Sequence, residues 1–153
     1  MALTIEDGTG VDGADSFIDV TQCAQFATDY FGSSLGHSTQ DKEAALRRAF
    51  VILSAMPWRV DLWPTFDGTI PDAVKNAQAA IARVEVQNPG TLSPVYDRSN
   101  AKVLTAVEGI QWTAKAGPST VDAARPVVTM AQDFLKAAGL LQSTGPVKWL
   151  DRS

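Results

Sequence analysis

Between Ser38 and Pro57 the apolar residues Ala45, Leu46, Ala49, Phe50, Leu53 and Met56 recur every three or four positions. That spacing puts them on one stripe of an α-helix and leaves its other sides polar. Such a stripe needs a second apolar surface to cover it, so the chain is bound to build a helical core around this segment. Ser38 with Asp41 supplies the N-terminal cap, and Pro57 ends the helix because it has no N–H to donate.

Three further segments share this period. Asp19 followed by Gln22 is a capping-box pattern that opens a first helix, with Cys23, Phe26, Ala27, Tyr30 and Phe31 as its core stripe and Gly32 as its stop. Pro71 fits a helix N1 position ahead of the stripe Val74, Ala77, Ile81 and Val84, which stops by Asn88, Pro89 and Gly90. Pro126 opens a last helix with Val127, Val128, Ala131, Phe134, Leu135 and Ala138, closed by Gly139.

The intervals are of other kinds. Pro57 to Gly68, with Trp58, Trp63, Pro64 and Phe66, is too proline-broken for a helix and too aromatic for a free linker, so it reads as a loop packed on the core. Val103, Thr105 and Val107 alternate up to Glu108 and Gly109, and Ile110, Trp112 and Ala114 alternate away, the pattern of a β-hairpin over about 102–115. Met1 to Asp15 reads as an extended arm with glycine and aspartate turns. The expected fold is mainly α: a four-helix bundle-like domain over 1–139 with one hairpin, an N-terminal arm, and a C-terminal docking tail over 140–153. At 153 residues, roughly 70% of the unfolded surface is buried in one core.

Charge narrows the function classes. Thirteen basic against seventeen acidic residues give a net charge of −4, so the averaged surface repels phosphate. Seven acids, from Glu6 to Asp41, precede the first base, Lys42; the remaining ten acids face all thirteen bases, a remainder able to pair with the acidic segment of a neighbouring copy. No apolar run reaches the 18 or more residues that span a bilayer, and no membrane partner is expected.

Several motifs are weaker than their letters. Gly8, Gly10 and Gly13 match G-x-G-x-x-G, but no strand precedes them and the helix opens only near Asp19, so they read as turns needing positive φ rather than a dinucleotide cradle. Asp7, Asp12, Asp15 and Asp19 miss the ligand order of a calcium loop. Cys23 belongs to an apolar stripe and His37 to a Gly/Ser loop, so no catalytic pair, metal set or cofactor is expected, and the chain reads as no enzyme. Lys42, Arg47 and Arg48 read as a solvated basic helix face.

The opening Leu3-Thr-Ile-Glu-Asp-Gly-Thr-Gly-Val-Asp-Gly-Ala-Asp-Ser-Phe-Ile, the stretch Lys42-Glu-Ala-Ala-Leu-Arg-Arg-Ala, the helix start Ile70-Pro-Asp-Ala-Val-Lys, the hairpin and the late helix occur in an order that resembles the head-tail connector, or adaptor, proteins of long-tailed bacteriophages. The resemblance runs from about residue 3 to about 140 and departs from the usual pattern over Pro57 to Gly68. It implies a structural virion subunit, made in the host cytoplasm, that assembles with neighbouring copies into a ring of about twelve beneath the portal protein. The ring extends the channel for double-stranded DNA without gripping it and meets the next connector or tail component. The resemblance also assigns the C-terminal segment to the portal, which makes Pro146, Val147, Lys148, Trp149, Leu150 and Arg152 the expected anchors. The hairpin residues Val107, Glu108, Gly109, Ile110 and Trp112 become subunit contacts or channel wall.

Some members of that group are labelled primosomal single-stranded-DNA-binding proteins, which supplies an alternative: a replication accessory. That function needs a basic groove with aromatic platforms. The sequence offers Trp58 or Trp112 beside Arg59 or Lys115 for it.

Overall fold

The computed structural model describes residues 1–93 and 127–142. They form a mainly helical, bundle-like domain with four helices and almost no strand: α1 Val20–Phe31, α2 Thr39–Ser54, α3 Asp72–Gln87 and α4 Thr129–Ala137. The chain divides into two units, and the first, Met1–Pro89 with Val128–Ser153, holds all four. Of the second, Gly90–Val127, only 90–93 and 127 are described. The expected hairpin over 102–115 lies outside the described residues.

Local chemistry sets the helix ends. Asp19 accepts from the Gln22 N–H at 2.7 Å while the Gln22 amide oxygen accepts from the Asp19 N–H at 3.0 Å, a complete capping box. Gly32, at φ +68°, closes α1. The Ser38 hydroxyl accepts from the Asp41 N–H and opens α2. That helix stops at Ala55, two residues before Pro57, because the residue preceding a proline is pushed out of the helical region. Pro71 stands at the N-cap of α3 rather than inside its first turn. α4 begins at Thr129, later than the apolar stripe indicates, and Val127 is exposed.

α3 packs against α1, α2 and α4 and is the axis of the domain. Of its sequence stripe, Val74, Ala77 and Ile81 are buried and are joined by Ala79, Ala80, Ala82 and Val86, whereas Val84 is only half-buried, because the covered side of the helix runs through Val86 at its end. A helix enclosed on so many sides must satisfy its polar side chains internally. Gln78, fully buried, accepts from the Phe17 N–H at 2.8 Å and donates to the Ser16 hydroxyl and the Leu46 carbonyl. Glu85, equally buried, takes Arg48 Nε at 2.6 Å. The α2 stripe meets this axis through Ala45, Leu46, Ala49 and Leu53. Burying a leucine side chain contributes about 2 kcal/mol.

Trp58, Phe66 and the half-buried Trp63 turn the 57–68 segment onto the core, where Trp63 and Phe66 meet Phe17, Trp63 also meets Phe50, and Trp58 packs on Trp63 and Phe66. Leu140 to Gln142 are stitched to the same segment: Arg59 N–H donates to the Leu140 carbonyl and Gln142 N–H to the Pro57 carbonyl. No described helix is long and apolar enough to cross a membrane.

Candidate nucleic-acid interface

The residues that the alternative reading needs do not meet. Trp58 stacks on Trp63 at 5.5 Å between ring centroids, packs edge-on against Phe66, and donates Nε1–H to the Leu53 carbonyl at 2.7 Å. With both ring and polar tip engaged inside the core, it is no platform for a base, a correction that follows from the loop's packing. Arg59 beside it donates to the Gly139 carbonyl. Trp112 and Lys115 lie outside the described residues. So do Val107, Glu108, Gly109 and Ile110 of the hairpin, and Pro146, Val147, Lys148, Trp149, Leu150 and Arg152 of the tail.

The basic face expected on α2 is likewise corrected. Arg47 turns to the N-terminal arm, where its Nε meets the Asp15 carboxyl at 2.6 Å and its Nη2 donates to the Met1 and Ala2 carbonyls. Arg48 turns to Glu85. Each guanidinium is therefore an internal tie between sequence-distant elements, and a solvated helix face is the wrong description of both.

The acidic arm is folded by the same logic. Glu6 is buried, and its carboxyl accepts from the backbone N–H groups of Gly8, Gly10 and Val11 at 2.8 to 2.9 Å. The loop thus wraps its own acid, as oriented amides do around an anion. Gly8 has φ +105°, and an added Cβ there would lie 2.5 Å from the Gly68 carbonyl oxygen, so glycine is required for both conformation and close approach. The Thr9 hydroxyl and then its N–H hold the exposed Asp7 carboxyl below the ordinary carboxylate value. Among the described residues no three His, Cys, Asp or Glu side chains converge as metal ligands would. Cys23 is buried on α1, and desolvation pushes its thiol up to about 11, while His37 is exposed in its loop.

One cluster escaped the sequence reading. Helical spacing assigns Tyr30 and Phe31 to the core stripe of α1, yet Tyr30 is 50% and Phe31 40% exposed. The last turn of α1 carries these rings to the edge of the domain. Tyr30 stacks on buried Phe26 at 4.5 Å and meets Phe134 of α4 edge-on at 5.6 Å. The guanidinium carbon of Arg83, from α3, sits 3.6 Å over the centre of the Phe31 ring, a cation–π contact. Nothing in the local sequence around residue 83 signals this pairing, because it depends on how α1 crosses α3.

A family model described as "Putative DnaT-like ssDNA binding protein" matches residues 1–151. No curated protein and no solved structure gives a match.

Proposed function

Because the chain belongs to this DnaT-like family, we propose that it binds single-stranded DNA, by contacts that rely more on stacking than on charge. The match over nearly the whole chain carries the reading. The emphasis on stacking follows from charge: the described residues hold thirteen acids and seven bases, and Arg47, Arg48 and Arg59 are engaged internally. A body of that kind gains little from phosphate neutralisation, whereas base stacking on exposed rings is tolerant of sequence and independent of net charge. The test is filter binding of the full chain at low salt with single-stranded and duplex oligonucleotides of one length. Retention of the single strand alone supports the proposal; equal retention of both, or of neither, overturns it.

A second reading is the head-tail adaptor ring subunit, favoured by the same acidic balance, since an acidic wall lets duplex DNA slide past. Residues 3–18 and 42–49, which carry the adaptor resemblance, fall on the arm and on α2, and Arg47 ties the two together. Its test is co-sedimentation with a portal ring, comparing the full chain with one stopped after Leu141. Binding that needs the tail supports the adaptor and its Trp149 anchor; no binding by either form removes it.

A further inference from the structure

We propose that Tyr30, Phe31 and Arg83 form the face on which a base of single-stranded DNA stacks, an inference that rests on the single-strand-binding reading and gives it a location. Two adjacent aromatic residues with 40 to 50% of their surface in water are costly to leave uncovered. Here they are also pre-positioned: Phe26 and Phe134 hold Tyr30 on two sides, and Arg83 holds Phe31. Rings fixed before the ligand arrives lose little freedom on binding.

Charge selects the occupant. Among the described residues Arg83 is the one guanidinium with neither a carboxylate nor a carbonyl partner; its contact is the Phe31 ring. A guanidinium centred over an aromatic ring leaves its N–H groups for an acceptor, and its outer side continues the stack that a base can join. The neighbouring acid Asp29 accepts from the Gln25 amide at 2.7 Å and is not paired with Arg83. A nucleotide supplies both complements at once, a π-face for the rings and a phosphate for the guanidinium. An apolar peptide supplies only the first.

The experiment is fluorescence anisotropy of a labelled oligothymidylate titrated with the full chain. The wild type is compared with Tyr30→Ala, Phe31→Ala, Arg83→Gln and, as a control elsewhere on the surface, Val51→Ala, which removes an exposed valine of α2. Loss of stacking should weaken binding about tenfold for each of the first three, with Val51→Ala unchanged. If Phe31→Ala fails to fold, Phe31→Trp and Phe31→Leu replace it; Trp should retain binding and Leu lose it. Wild-type binding that these substitutions leave intact overturns the location while sparing the reading, and absence of wild-type binding removes both. Unchanged DNA binding with altered sedimentation in Tyr30→Ala or Phe31→Ala identifies the face as a protein contact and overturns the proposal.

Discussion

The N-terminal arm and the last turn of α1 dispose of their side chains in opposite ways. The arm is rich in acids, yet Glu6 is enclosed by backbone N–H groups and Asp15 is held by Arg47 and by the Thr4 N–H. The α1 end is rich in aromatic surface, yet it leaves two rings in water with a guanidinium on one of them. In the first region polar groups do structural work; in the second apolar groups are left outside the core. Charge content alone is therefore a poor guide to what a surface here is for, and the partner of each charged group decides it.

The comparison breaks most readily at Glu6. Glu6→Ala strands three backbone N–H groups and should cost about 3 kcal/mol, measured by chemical denaturation; a near-neutral result would show that the arm is not a structural part of the domain. Gly8→Ala comes next at about 2 kcal/mol, since it combines a positive φ with a clash against the Gly68 carbonyl. Arg47→Ala should cost about 1 kcal/mol, because its pair with Asp15 is about one-third exposed. Its clearer signature is faster proteolysis within residues 1–15. Tyr30→Ala, in the other region, should lower stability by less than about 1 kcal/mol while weakening DNA binding, the reverse of the Glu6 pattern.

A smaller effect concerns Cys23. Its thiol is raised from 9.0 to about 11 by burial, so the folded chain keeps a proton that the unfolded chain has lost in that range. Its stabilising contribution is complete below pH 9 and declines as pH rises toward 11. At pH 8 alkylation of Cys23 should be slow in the native protein and fast after denaturation; equal rates would place the thiol at the surface.

Helix existence and capping were legible because they are local. Asp19 with Gln22, Ser38 with Asp41 and the α2 stripe all act within one or two turns. The burial of Gln78 and Glu85 on α3 was not, since they look like solvent-facing breaks in a stripe until Ser16, Leu46 and Arg48 arrive from elsewhere. The same distance problem hid the candidate face. Tyr30 stands four residues after Phe26 and Phe31 four after Ala27, both at stripe spacing, and only the position of α3 and α4 decides that Phe26 is covered while Tyr30 and Phe31 are not. Arg47 and Arg48 misled in the opposite direction, because their partners lie 32 and 37 residues away.

The measurement closest to the central claim is the salt dependence of oligothymidylate binding by the unaltered chain. A stacking-led contact joined by Arg83, the one guanidinium among the described residues with neither a carboxylate nor a carbonyl partner, expects a shallow line, with log K falling by about 1 per decade of salt. A slope steeper than about 4 per decade would mean that many phosphates are neutralised, and it would contradict a stacking-led contact on an acidic body.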